Sequence, residues 1–128
     1  MTFDPSAGAV AATRAVCRWL EREARLAVAT RPLRQALSQP GHYTDLRGLS
    51  HPLSDMTVTE ASLVLALLER HAATLHRGEL AERLLGLDAN GRPRPTAIEA
   101  YAALATTAAE DWLRQTPLHR ALRERVAQ

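Results

Sequence analysis

The chain has no lysine, one cysteine (Cys17) and only five aromatic residues (Phe3, Trp19, Tyr43, Tyr101, Trp112). A single cysteine excludes an internal disulfide, so nothing points to an oxidising compartment. The longest apolar stretch, Ala61–Leu68, falls far short of the ~20 residues a membrane span needs. Met1 to Val10 has neither a basic n-region nor an apolar run, so it does not read as a signal peptide. A soluble, cytoplasmic protein without membrane contact is expected.

Catalytic and metal-binding signatures are equally scarce. His71 and His76 are five apart, off the same-face spacing of a helical metal pair. There is no Gly-rich phosphate loop. Asp88 and Asn90 begin like a calcium loop but lack its later ligands. Ser54 and Asp55 near His51 suggest a triad fragment, although a Ser/Asp pair before a helix is ordinary capping composition. His42, His51 and His119 lie in or beside turns and read as surface residues. No enzymatic activity, cofactor or metal is expected.

What is present is alanine, leucine and arginine. Hydrophobic residues make up 46 % of 128 residues. β-branched residues are sparse, which favours helix packed on helix. This length suits one domain that buries roughly two-thirds of its unfolded surface. All sixteen basic residues are Arg, and each is a planar fork suited to phosphate or carboxylate. The net charge of +2 is unevenly placed: residues 1–50 and 113–128 are basic, and residues 51–112 are acidic.

The expected fold is a single all-α domain, residues 1–128. It is a bundle of five or six helices around a buried central helix at about 57–77. Thr57 and Glu60 form a capping box for that helix, leucines cover most of its circumference, and Gly78 reads as its left-handed stop. Asp4 and Pro5 start a first helix running to about Thr30, and Thr30-Arg31-Pro32 restarts a short one to about Ser38. Residues 43–56 read as an irregular connection with at most one helical turn. A short helix spans about 78–86, residues 88–95 form a loop, and a second capping box at Thr96 and Glu99 opens a long helix. Thr116 and Pro117 open the last one.

The first helix is the most informative element. At about 100° per residue, Val10, Val16, Cys17, Leu20, Ala24, Ala27 and Val28 share one side, which predicts a buried, inert Cys17. Arg14, Arg18, Arg22 and Arg25 share the other, and Arg31 and Arg34 extend that row. Like charges at i,i+4 destabilise a helix by a few tenths of a kcal/mol per pair. Phosphate binding is a reason to tolerate them, because neutralising a nucleic-acid backbone releases counterions. The tail arginines Arg114, Arg120, Arg123 and Arg125 are explained by the helix dipole.

The function these residues favour is a non-catalytic small helical subunit binding RNA or single-stranded DNA through Arg14, Arg18, Arg22, Arg25, Arg31 and Arg34. In size, helicity and charge the chain resembles the small helical subunits of CRISPR effector complexes. That resemblance implies a place among other protein subunits of a ribonucleoprotein assembly. A protein–protein module (an adaptor, an immunity or inhibitor protein, or a helical homodimer) is the alternative. A helix-turn-helix regulator fits less well, because the helix from Thr96 to Trp112 has three acids and no basic residue to enter a major groove.

Overall fold

The computed structural model describes residues 5–45, 47–85 and 95–128, with side chains for all of these but 5–7 and 95. In chain order they form α1 (Pro5–Ala36), the strands β1 (His42–Thr44) and β2 (Ser50–Pro52), a 3-10 turn at Leu53–Asp55, α2 (Val58–Arg70), α3 (Ala72–Leu84), α4 (Pro95–Ala105), α5 (Ala109–Arg114) and α6 (Pro117–Ala127). Helices packed on helices make an all-α bundle, as the composition implies. The expected cap Asp4 and the loop at 88–95, up to its last residue, lie outside the described residues.

The expected central helix is two helices. Thr57 Oγ1 does accept from the Glu60 N–H at 3.1 Å, but the helix ends at Arg70 and a new one starts at Ala72. At the break the His71 N–H is shared between the carbonyls of Leu67 and Leu68, both at 3.2 Å. No Gly or Pro marks the spot. The two halves pack on different neighbours, α2 mainly on α6 and α3 on α1, α4 and α5, and those contacts override local propensity. Nor is α2 buried all round: Ala61 and Leu68 are, while Leu63 is 65 % exposed. The bundle is organised around α3.

Gly78 is not a stop. It sits inside α3, where a Cβ would lie 2.0 Å from Thr30 Oγ1 and 3.2 Å from Arg34 Nε. Glycine in a helix interior costs about 1 kcal/mol relative to alanine. Here it lets the backbones of α1 and α3 approach.

The expected break at Thr30-Arg31-Pro32 is also absent, and α1 continues through Pro32 to Ala36. Proline removes one backbone bond and crowds the preceding turn. Side chains brace that turn: Thr30 Oγ1 donates to the Leu26 carbonyl at 2.8 Å, and Arg34 donates to the Ala27 carbonyl at 2.6 Å.

Residues 42–52 form a small antiparallel hairpin, with Tyr43 opposite His51. The hairpin corrects the expected irregular connection at 43–56, because Tyr43 and His51 pair across it; the single 3-10 turn after it is the one helical turn expected there. The long helix expected after Thr96 breaks after Ala105, where the hydroxyls of Thr106 and Thr107 both donate to the Ala103 carbonyl. That local alternative competes with the helix. Thr96 lies inside α4, which begins at Pro95. α6 starts at Pro117 as expected, although the Thr116 hydroxyl bonds back to Leu113 and does not cap it. The Leu118 N–H donates to the Leu37 carbonyl at 2.9 Å and ties α6 to the end of α1. The core joins Leu37, Leu68, Leu75, Leu113, Leu118 and Leu122 in one cluster.

Candidate nucleic-acid interface

α1 has two halves. Every residue from Gly8 to Trp19 is exposed, whichever way it faces. Further along, Glu23, Ala27, Thr30 and Arg34 are buried at spacings of 4, 3 and 4, and this stripe meets α3. The expected apolar side therefore does not pack as a unit. Ala27 is buried and Leu20 and Ala24 are half-buried, while Val10, Val16 and Val28 are exposed. Cys17 is exposed as well, contrary to expectation. The body of the bundle does not reach under that part of the helix.

The six candidate arginines separate by face and not by half, since Arg22 and Arg25 lie among the residues that meet α3 and are still exposed. Arg14, Arg18, Arg22 and Arg25 are exposed. Among the described residues no carboxylate lies within ion-pair distance of any of them. Arg18 Nε donates weakly to the Arg14 carbonyl at 3.4 Å. Arg31 and Arg34 are different. Arg31 is about half exposed and its Nε meets Glu82 at 3.1 Å. The Arg34 side chain is 5 % exposed and bonds Glu79 at 2.6 Å, Glu82, the Ala27 carbonyl and Thr30 Oγ1. Arg34 is a structural cation with every direction filled, which removes it from the interface. Arg31 is largely committed to Glu82. Burial pushes the Glu82 carboxyl up, but the bonds from Arg34 and Arg31 outweigh it and hold the group below its usual range.

One further ion pair spans the crossing of α1 and α3: buried Glu23 accepts from Arg77 at 2.8 Å. Within α3, Arg83 reaches Glu79 at 3.3 Å, one turn away. The tail arginines also serve the fold: Arg125 donates twice to the Met56 carbonyl, at 3.0 and 2.8 Å, and Arg123 to the Arg114 carbonyl at 2.9 Å.

Of the histidines read as surface residues, one departs from that reading. His51 is exposed as expected and pairs with Asp45 at 2.8 Å, not with Ser54 or Asp55. Asp45 also accepts the N–H groups of Arg47 and Leu49 across a turn that Gly48 closes at φ 84°. The His51 bond comes first among the causes that lower the Asp45 carboxyl to about 2. His119 is fully buried, not a surface residue. Its Nε2 lies 3.3 Å from Glu69, and its Nδ1 has no partner among the described residues. Burial, the largest cause, pushes its pKa below the ordinary value. Among the described residues no His, Cys, Asp and Glu side chains form a group of three or more able to hold a metal, and no helix is long and apolar enough to cross a membrane.

Compared with known proteins, the chain matches no family model, no curated protein and no solved structure.

Proposed function

We propose that this chain is a non-catalytic helical subunit that binds nucleic-acid backbone through Arg14, Arg18, Arg22 and Arg25 and works within a larger ribonucleoprotein assembly. The observation that carries the reading is the set of four exposed guanidinium groups, without carboxylate partners among the described residues, on one face of α1: Arg14 and Arg18 where every residue is exposed, and Arg22 and Arg25 beside the stripe that meets α3. The like-charge repulsion along this row is mildly costly in the free protein. Phosphates relieve it.

Four phosphate contacts on a single strand give a log–log salt slope of about −3. Binding of a labelled oligonucleotide and retention on heparin should both fall steeply between low and moderate salt. Arg18→Glu with Arg22→Glu should weaken binding at least tenfold with the helical signal unchanged. Salt-independent binding, or a double variant that binds like the parent, overturns the reading.

A protein partner is the second reading. It is favoured by Val10, Val16 and Trp19, which are exposed apolar residues on the same length of helix. Under it the mass in solution reports a dimer or a complex, and neither salt nor the Arg variants matter.

A further inference from the structure

The row Arg14, Arg18, Arg22, Arg25 continues at the same helical spacing into Ala29 and Leu33. Those two residues and Thr30 form the α1 wall of a mainly apolar cavity of about 220 Å³. Its other walls are Tyr43 from β1, Leu67 from α2, His71 at the α2–α3 break, and Thr74 and Leu75 from α3. The hollow lies beside the break at His71, where α2 packs mainly on α6 and α3 on α1. Leu75 and Tyr43 are buried, while Leu67 and Thr74 stay exposed at the rim.

We propose that this cavity receives one unstacked base of a single-stranded nucleic acid whose backbone lies along the Arg row; the inference rests on the reading of that row. A cavity of about 150 Å³ is enough for benzene, so a hollow of about 220 Å³ admits a pyrimidine or purine ring. Ala29 is one turn past Arg25, about 6 Å along the helix, which brings a base next to the phosphate held by Arg25 within reach. Tyr43 and His71 offer aromatic faces, and base-on-aromatic stacking is tolerant of sequence. The Thr74 hydroxyl, the His71 ring and the Tyr43 phenol offer bonds to a base edge. Burial, then Asp45, raises the Tyr43 pKa, so the phenol keeps its proton at neutral pH. A second hollow that shares Ala29 and Leu33 carries Arg47, whose side chain is 79 % exposed and pairs loosely with Asp45 of the same hollow at 3.6 Å. Arg47 is placed to meet the next phosphate. A base in a duplex would first have to leave its stack, so the site selects single strands.

The test is fluorescence anisotropy with three labelled ligands: a mixed-sequence 15-mer, the same 15-mer as a duplex, and an abasic sugar-phosphate strand of equal length. The wild-type protein should prefer the natural single strand to both others by about tenfold, the size of one base–aromatic contact. Ala29→Trp fills the cavity from an exposed helix position. It should abolish that preference while keeping abasic-strand affinity and the salt slope. Arg18→Glu with Arg22→Glu should weaken all three complexes. If the wild-type protein holds the abasic strand as tightly as the natural one, or if Ala29→Trp keeps the preference, the base pocket is wrong and the Arg row stands. If the Arg double variant binds all three ligands like the parent, the row itself is wrong and the pocket falls with it.

Discussion

The two faces of α1 carry the same cation and use it in opposite ways. Arg14, Arg18, Arg22 and Arg25 stand in water without a carboxylate partner among the described residues. Arg34 and, in part, Arg31 are held by Glu79 and Glu82 of α3. What differs is which side of the helix meets α3. On the side that does, with Glu23, Ala27 and Thr30, an arginine that loses water must find carboxylates, and the pair i,i+3 on α3 supplies them. On the other side each guanidinium keeps its water and its freedom to meet an outside anion.

The sharpest way to break this contrast is Arg34→Ala. It takes the Arg34 bonds away from Glu79 and Glu82, leaving them Arg83 and Arg31 alone, and removing one partner of a buried pair costs about 3 kcal/mol. Urea denaturation should show that loss, and Arg25→Ala should not. Equal effects from the two would erase the distinction. Next comes Gly78→Ala. The new methyl meets Thr30, and overpacking of this kind costs about 2 kcal/mol in spite of the gain in helix propensity. Adding Thr30→Ala should recover part of the loss; additive effects would mean that the two helices are not in tight contact there.

A smaller effect comes from pH. His119 has a lowered folded-state pKa, so the unfolded chain binds its proton first as pH falls. Its contribution to stability is complete above about 6.5, the unfolded value, and is lost as pH drops from there toward the folded value. Urea midpoints at pH 7.5 and 5.5 should therefore differ, and His119→Gln should flatten the difference. The smallest effect is expected at exposed positions of α1: Arg22→Ala or Val16→Ser should shift stability by less than about 0.5 kcal/mol. A larger shift would mean that these positions pack on the bundle in solution.

The all-α class was legible because it depends on composition and 3.6-residue patterning, and the Thr57 cap and the Pro117 start because they depend on a few adjacent residues. The buried side of α1 was not. Its stripe contains Glu23 and Arg34, which patterning assigns to water. They are buried because Arg77, Glu79 and Glu82 wait more than forty residues away. Gly78 and Pro32 misled for a related reason: each is a breaker by itself and becomes tolerable only against a particular neighbour. His119 looked exposed because it follows a turn, and only the packing of α2 on α6 encloses it. The signals that were available were the Glu79/Glu82 spacing and a small residue in the middle of a helix.

The unbroken course of α1 through Pro32 has a mechanical consequence. The exposed tip and the anchored base are one rod, not two segments joined by a hinge. A load taken up near Arg14 is not absorbed along the way but arrives as torque at the Thr30–Gly78 crossing, which acts as the fulcrum. Whatever grips the tip thereby pries at the seat of α3, the helix on which most of the others rest.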